Sequence, residues 1–199
     1  MCGKAIKAIL DIYAVNPLYK YQNMKQVIFT YGRFNPPTRG HELIFKQCGN
    51  LARLAGCDYQ IFTSRSHDSK SNPLTVEEKI YFLESFYPNT EFHVSQTVFT
   101  ACQDLAKAGY THATIVLGED RGDAILTSLQ KYIGHDDQSK ALGLTSIQLY
   151  QIPRDGDSVS ATSARMRARE DDFQGFCDLI PGTNTNLKRE LFDVLRKSM

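Results

Sequence analysis

The chain of 199 residues has no excess of charge of either sign, because 23 Lys and Arg residues balance 22 Asp and Glu residues and leave a formal net charge of +1. Without a large basic field, long nucleic acid is not an expected partner. No apolar run approaches the roughly 20 residues that a membrane-spanning helix needs. The first residues also lack the apolar core of a signal peptide. We therefore expect no association with a membrane.

Paired cysteines are missing as well. The five cysteines are scattered, odd in number and without C-x-x-C spacing, so the sequence supports neither a disulfide framework nor a zinc site. Their positions are Cys2, Cys48, Cys57, Cys102 and Cys177. Cys48 and Cys102 fall at apolar positions of helical patterns, which indicates buried, reduced thiols in a cytoplasmic protein.

Internal repeats and low-complexity tracts do not occur either, and the remaining composition is that of an ordinary folded domain. Hydrophobic residues make up 42% of the chain and charged residues 23%, as in typical globular proteins. The length suits one domain with a full core. We assign residues 1–25 to an N-terminal extension and residues 26–199 to the domain, including its C-terminal helices.

Short β-rich runs alternate with amphipathic helical patterns along this domain. The predicted strands cover residues 27–30, 59–63, 91–94, 113–117 and 147–151. Helices are expected between them; the first ends at Gly56, the second begins at the capping box Thr75-x-x-Glu78, and the third ends at Gly109. A polar connector follows at 134–146, and three shorter helices are expected at 160–169, 171–179 and 187–197.

Strands that alternate with helices indicate a parallel sheet with right-handed crossovers. We therefore predict an α/β fold, a doubly wound (Rossmann-like) parallel sheet of about five strands with helices on both faces. The side chains predicted to form the inward faces of the first two helices are Leu43, Ile44, Cys48, Leu51 and Leu54, then Val76, Ile80, Leu83 and Phe86. Phe82 and Phe92 are also predicted to be core residues.

Residues 31–41 read Y-G-R-F-N-P-P-T-R-G-H and join the first strand to the first helix. Gly32 lets the chain turn without a Cβ, and the two prolines stiffen the loop. Thr38 can cap the helix, which places His41 on the first turn, where its side chain points back toward the loop. In α/β proteins, this order of strand, tight turn and helix start is typical of a phosphate-binding site.

A second informative segment, residues 159–165, reads V-S-A-T-S-A-R and begins the helix after the last strand. Ser160 and Thr162 are suited to cap that helix, and Arg165 lies just inside it. Backbone N–H groups, two hydroxyls and one guanidinium therefore converge, which is an arrangement that binds polyanions.

Taken together, the two segments resemble motifs of the nucleotidyltransferase superfamily of the (H/T)-x-G-H type. Thr38, Gly40 and His41 match its first motif, G-x-F-N-P-x-T-x-x-H. The second segment is similar to I-S-S-T-x-x-R, with Ala161 in place of the second serine. Residues 64–75 resemble the N-P-x-T loop of archaeal-type nicotinamide mononucleotide adenylyltransferases, and residues 117–121 resemble a G-x-D turn near the nucleotide ribose. Cytidylyltransferase-like proteins share the pattern, and the C-terminal tail is similar to bacteriophage members.

The resemblance implies transfer of a nucleoside monophosphate from a nucleoside triphosphate to a phosphomonoester, with release of pyrophosphate. ATP and nicotinamide mononucleotide are the implied substrates, and Mg²⁺ would be carried mainly by the triphosphate. No metal ligands from the protein are expected, because His67, His93, His112 and His135 lie apart without ligand spacing.

Each matching residue takes an implied role. Thr38, His41 and Arg165 are the catalytic candidates, with His41 stabilising charge rather than acting as a nucleophile. The nucleotide-binding candidates are Gly32, Arg33, Phe34, Asn35, Gly40, Gly118, Asp120, Ser160 and Thr162. The candidates for binding the acceptor are Arg33, Lys70 and Asn72.

Two alternatives keep the same fold. One is a cytidylyltransferase that acts on a phosphorylated small alcohol, because the sequence leaves the choice between ATP and CTP open. The other is a non-catalytic nucleotide-binding or assembly protein, although retention of Thr38, His41 and Arg165 together argues against it. A homo-oligomer is also left open.

Overall fold

A computed structural model of the chain describes residues 24–119, 122–137, 140–153 and 159–199. Its centre is a sheet of five parallel strands in the order β3-β2-β1-β4-β5. The strands are β1 (Gln26–Gly32), β2 (Asp58–Ser64), β3 (Phe92–Ser95), β4 (His112–Gly118) and β5 (Ser146–Ile152). All five predicted strands are confirmed. The division into an extension at 1–25 and a domain at 26–199 stays a prediction, because most of the extension lies outside the described residues.

The helices follow the local signals in the sequence. They are α1 (Arg39–Ala55), α2 (Val76–Phe86), α3 (Val98–Lys107), α4 (Gly122–Gln130), α5 (Ala161–Arg169), α6 (Phe173–Leu179) and α7 (Thr185–Ser198). Thr75 caps α2, since its hydroxyl accepts the Glu78 amide at 3.2 Å while the Glu78 carboxylate accepts the Thr75 amide at 2.9 Å. Gly56 ends α1 with a φ of 63°, a left-handed conformation that favours glycine.

Helices cover both faces of the sheet, as predicted. Successive residues of a strand point to opposite faces. Val27 and Phe29 of β1 belong to a core cluster with residues of α3 and α4, and Ile28 belongs to another cluster with residues of α1. The sheet is therefore buried on both sides, which explains the continuous apolar run of β4.

The C-terminal helices belong to the same domain. Phe176 of α6 and Phe192 of α7 are fully buried in one cluster with Leu74 and with Phe82 of α2. This packing extends the α2 side of the sheet. After β5, the helix α5 comes close to the carboxyl end of β1, where its Arg165 donates to the carbonyl of Asn35.

The inward face of α1 differs from the predicted one. Leu43 and Leu54 are 61% and 67% exposed, whereas Phe45 and Ala52 are buried together with the predicted Cys48. At about 100° per residue, Phe45 and Ala52 lie on the side of Cys48, and Leu43 and Leu54 lie more than a quarter turn away. The helix α1 has apolar residues on more than one side, and only the side that carries Phe45, Cys48 and Ala52 packs against the sheet.

Three further buried positions were missed. Phe82 of α2 is buried as predicted, but Lys79 is buried beside it, where the predicted stripe ran through Val76 and Ile80. In the connector predicted to be polar, Leu142 and Leu144 are buried against the cluster of α3 and α4. No helix in the described part of the chain is long and apolar enough to cross a membrane.

Candidate functional site

A cleft of about 830 Å³ opens at the carboxyl ends of β1 and β4. The strand order reverses between these two neighbours, so the connections that follow them lead to opposite faces of the sheet and leave a crevice. The end of β1, the first turns of α1 and the start of α5 form its walls. Both sequence motifs therefore line one cleft.

The turn after β1 is shaped by Gly32 and Phe34. A Cβ on Gly32 would lie 2.4 Å from Cε1 of the Phe34 ring, so glycine is needed there. Phe34 itself has a φ of 44°, a strained value for a residue with a side chain. Its buried ring packs edge-on against His41 at 5.0 Å and against Phe45 at 4.9 Å between centroids. The strained turn thus supports the imidazole of His41 from one side.

Asn35 anchors the same loop to the segment before α2. Its buried side chain donates to the carbonyl of Leu74 and accepts from the amide of Leu74, both at 3.0 Å. The Asn35 carbonyl accepts a hydrogen bond of 2.7 Å from Nη1 of Arg165. Both polar groups of the Asn35 side chain are thus used within the protein, so its predicted nucleotide contact has to come from another atom.

Thr38 and His41 form a reciprocal cap at the start of α1. The Thr38 amide donates to Nδ1 of His41 at 3.1 Å, and the Thr38 hydroxyl lies 3.1 Å from the same nitrogen. A nitrogen that accepts a backbone N–H carries no proton, so neutral His41 carries its proton on Nε2. His41 lines the cleft, but Thr38 is fully buried and is not part of its wall. Thr38, a predicted catalytic candidate, therefore contacts His41 and does not itself line the cleft.

The start of α5 supplies the opposite wall. The Ser160 hydroxyl caps the helix by accepting the Ser163 amide at 3.1 Å. Arg165 is 9% exposed, and its Nη2 donates to the Thr162 hydroxyl at 3.1 Å. Together with the bond to Asn35, two of its five N–H donors are used among the described residues. The guanidinium is thus fixed in the wall with donors remaining for an anion.

The two motifs touch through their backbones. A Cβ on Gly40 would lie 2.4 Å from the carbonyl oxygen of Val159, which a side chain there could not tolerate. Gly40 of the first motif therefore has to be glycine because the backbone of Val159, in the second motif, lies against it. The contact brings the N-termini of α1 and α5 together, and two helix N-termini favour an anion between them.

Positive charge dominates the cleft. Arg33, Arg39, Lys46 and Arg165 line it, and the carboxylate of Glu42 is paired with Lys46 at 2.5 Å. Burial lowers the pKa of the Arg165 guanidinium, and the nearby Arg33 and Arg169 lower it further. A bound polyanion would relieve this crowding of cations.

Two predicted acceptor residues are placed differently. Lys70 is exposed and Asn72 is buried, and neither lines the cleft. The Asn72 amide donates to Asp68, and this bond, followed by that from the Ser71 amide, lowers the pKa of the Asp68 carboxyl to about 2. Arg33, the third acceptor candidate, lines the cleft with an exposed side chain.

Sequence reasoning missed several residues that do line the cleft. Ser64, Ser66 and Ser71 line it on the side of β2. The rule that polar groups after parallel strands share one edge could have found Ser64 and Ser66. The apolar part of the wall consists of Val98, Leu117, Ile125 and Ile152. Gly118, a predicted nucleotide-binding residue, lines the cleft, and Asp120 lies outside the described residues.

A resident metal ion does not fit the side chains of the cleft. Within the described ranges, no group of three or more His, Cys, Asp or Glu side chains could hold one. Glu42 is the one carboxylate among the described residues of the wall, and it already pairs with Lys46. The four cysteines in the described part of the chain are free thiols, and burial raises the pKa of both Cys48 and Cys102 to about 12.

No protein-family model and no curated sequence matches the chain. Solved structures do match. The Plasmodium falciparum nicotinic acid mononucleotide adenylyltransferase complexed with NaAD has a TM-score of 0.56 at 16% identity over 85% of this chain and 98% of its own. A Vibrio parahaemolyticus protein assigned as a nicotinate-nucleotide adenylyltransferase has a TM-score of 0.52 at 13% identity over 84% of this chain and 99% of its own.

A third similar structure is Thermotoga maritima TmcAL bound with alpha-thio ATP. Its TM-score is 0.51 at 13% identity, over 87% of this chain and 56% of its own. At such identities the similarity establishes the fold alone, a doubly wound α/β sheet shared with these three proteins.

Proposed function

We propose that the protein is a nucleotidyltransferase that transfers a nucleoside monophosphate from a nucleoside triphosphate to a phosphomonoester. The observation that carries this proposal is the meeting of His41 and Arg165 in one basic cleft, at two helix N-termini that touch at Gly40 and Val159. A cleft of this volume can hold a nucleotide beside a second small molecule. The fold shared with two nicotinate-nucleotide adenylyltransferases supports the same assignment.

The reaction needs two anions held in line and a developing negative charge neutralised. An oxygen of the acceptor phosphate attacks the α-phosphorus, the bond from that phosphorus to the bridging β-oxygen breaks, and pyrophosphate leaves. We assign the Nε2–H of His41 to the triphosphate oxygens, where it stabilises charge that grows during transfer. Arg165, with Ser160 and Thr162, would hold the β- and γ-phosphates at the start of α5.

The specific reaction we propose is adenylyl transfer to nicotinamide mononucleotide, which yields NAD and pyrophosphate. Thr38, at a position where many cytidylyltransferase relatives carry a histidine, supports this choice. The ligands in two similar structures, NaAD and alpha-thio ATP, also support it. Mg²⁺ is proposed to enter as the counter-ion of the triphosphate, because the cleft offers no set of metal ligands among the described residues.

A substrate panel tests the proposal. Purified protein is incubated with ATP or CTP and with nicotinamide mononucleotide, nicotinate mononucleotide or a phosphorylated small alcohol, and pyrophosphate release is measured. We expect release with ATP and a pyridine mononucleotide. Release only with CTP and the phosphorylated alcohol would identify a cytidylyltransferase. Tight nucleotide binding without release for any pair would identify a non-catalytic nucleotide-binding protein.

A further inference from the structure

Lys79 is a fully buried lysine on α2, with an exposure of 0%. The next turn of the helix carries Phe82 and Leu83, which belong to two apolar clusters. Its ammonium donates a hydrogen bond to the backbone carbonyl of Ser64. In the described part of the chain no carboxylate forms an ion pair with it, and burial alone accounts for its lowered pKa of about 8.

A buried cation with one neutral partner opposes folding, because nothing of opposite charge offsets its removal from water. An apolar side chain of the same length would fill the space without that desolvation. The ammonium at position 79 therefore points to a role other than stability.

The bond from Lys79 ends at the wall of the cleft. Ser64 is the last residue of β2, and its hydroxyl lies 2.8 Å from that of Ser66. Both serines line the cleft. From the other end of the same segment, the Lys70 carbonyl accepts a bond of 2.9 Å from Arg169 on α5. Residues 64–72, which we name the acceptor segment, are thus held by one cation at each end.

We propose that Lys79 is a positioning residue for the anionic acceptor, because it holds the Ser64 carbonyl and so fixes the Ser64 and Ser66 hydroxyls in the cleft wall. Its charge also adds to the positive potential at this end of the cleft, where hydroxyl donors and Arg33 face the same space. The inference rests on the proposed function in one respect, since it takes the acceptor to be a phosphomonoester.

Hydrogen exchange tests the positioning without any assay of turnover. Lys79→Met keeps the length of the side chain and removes the ammonium. We expect amides of the acceptor segment to exchange at least tenfold faster in this variant, because their anchor is lost. Lys188→Met is the matched control: Lys188 is also buried and donates to the Cys177 carbonyl at 2.9 Å, outside the cleft wall. Lys188→Met should leave the amide exchange rates of the acceptor segment unchanged.

Calorimetric titration tests the consequence for binding, with nicotinamide mononucleotide and a non-hydrolysable ATP analogue as the probes. Lys79→Met should weaken binding of the mononucleotide about tenfold, because the charged hydrogen bond that holds the Ser64 carbonyl is lost. Binding of the ATP analogue should change less than twofold. Lys79→Gln retains a donor without the charge. It should restore part of the exchange protection while the mononucleotide stays weakly bound.

The outcomes separate the two proposals. Wild-type exchange of the acceptor segment in Lys79→Met, or an equal loss of affinity for both probes, would overturn the role of Lys79. If Lys79→Met does not fold, Lys79→Gln carries the same comparison. Mononucleotide binding without pyrophosphate release in the wild-type protein would contradict the transferase, while the exchange of the acceptor segment still decides the role of Lys79.

Discussion

At the scale of single residues, the cleft depends on hydrogen bonds that decide which atom of a side chain meets the ligand. His41 accepts the Thr38 amide at Nδ1, so its proton lies on Nε2 and can be given to a phosphate oxygen as a hydrogen bond. Arg165 is held by Asn35 and Thr162, so its guanidinium is oriented before a ligand arrives. Groups oriented in advance stabilise a transition state without reorganising during the reaction.

His41→Ala should lower kcat by roughly 10²–10³, the usual loss when one preorganised donor to a transition state is removed. The measurement is pyrophosphate release at saturating ATP and acceptor. His67→Ala is the control, because His67 is exposed in the acceptor segment and does not line the cleft. Near-normal turnover of His41→Ala would remove His41 from the mechanism.

Arg165→Ala should weaken the binding of triphosphate by roughly 10–100-fold, the range for one hydrogen-bonded charge. Arg165→Lys should recover part of it, since lysine lacks the planar fork that also reaches Asn35. Arg167→Ala is the control: Arg167 lies on the same helix, pairs with Asp172 at 3.0 Å and does not line the cleft, so the Kd of this variant for the triphosphate should match that of the wild type. An unchanged Kd in Arg165→Ala would show that α5 does not hold the triphosphate.

The roles of individual residues were only partly readable from the sequence. The matching motifs predicted that His41 and Arg165 share a site, because both follow strands of one parallel sheet. The burial of Thr38 and the internal bonds of Asn35 and Asn72 could not be predicted, since they depend on which neighbours the folded chain brings to each polar group.

At the scale of helices and strands, the close approach of α1 and the loop before α5 gives a second test. Gly40→Ala would place a Cβ 2.4 Å from the Val159 carbonyl, so α1 and α5 must separate. We expect weaker triphosphate binding and lower turnover. In Gly49→Ala on the same helix, the new Cβ would make an ordinary contact with the Tyr59 ring at 3.9 Å, so this variant should stabilise the protein by roughly 0.5–1 kcal/mol. Equal behaviour of the two variants in urea denaturation and in triphosphate titration would contradict the contact.

Elements with local signals were the predictable ones. The capping box of Thr75 and Glu78 and the stop at Gly56 act within a few residues of the helix ends, so the sequence alone locates those ends. The rotation of α1, which exposes Leu43 and Leu54, is set by contacts with the sheet. Those contacts join residues far apart in the sequence, so periodicity alone could not choose between the apolar sides of the helix.

At the scale of the whole molecule, the buried charge of Lys79 has a consequence for stability that depends on pH. Its pKa is lowered from 10.5 to about 8. Between pH 8 and about pH 10.5 the folded protein has released the Lys79 proton while the unfolded chain still keeps it. In this range the free energy of unfolding of the wild type therefore rises relative to that of Lys79→Met, by at most about 1.4 kcal/mol per pH unit. Below pH 8 the difference should be constant. Urea denaturation of both proteins at pH 7 and pH 9.5 measures it, and a pH-independent difference would contradict a buried cation.

The fold as a whole joins distant parts of the chain into one cleft, with α1 from its first third and α5 from its last third as opposing walls. A crystal structure with a non-hydrolysable ATP analogue tests this claim most directly. We predict that the triphosphate lies within hydrogen-bonding distance of both Nε2 of His41 and the guanidinium of Arg165. A triphosphate that contacts neither group, or only one of them, would contradict the account.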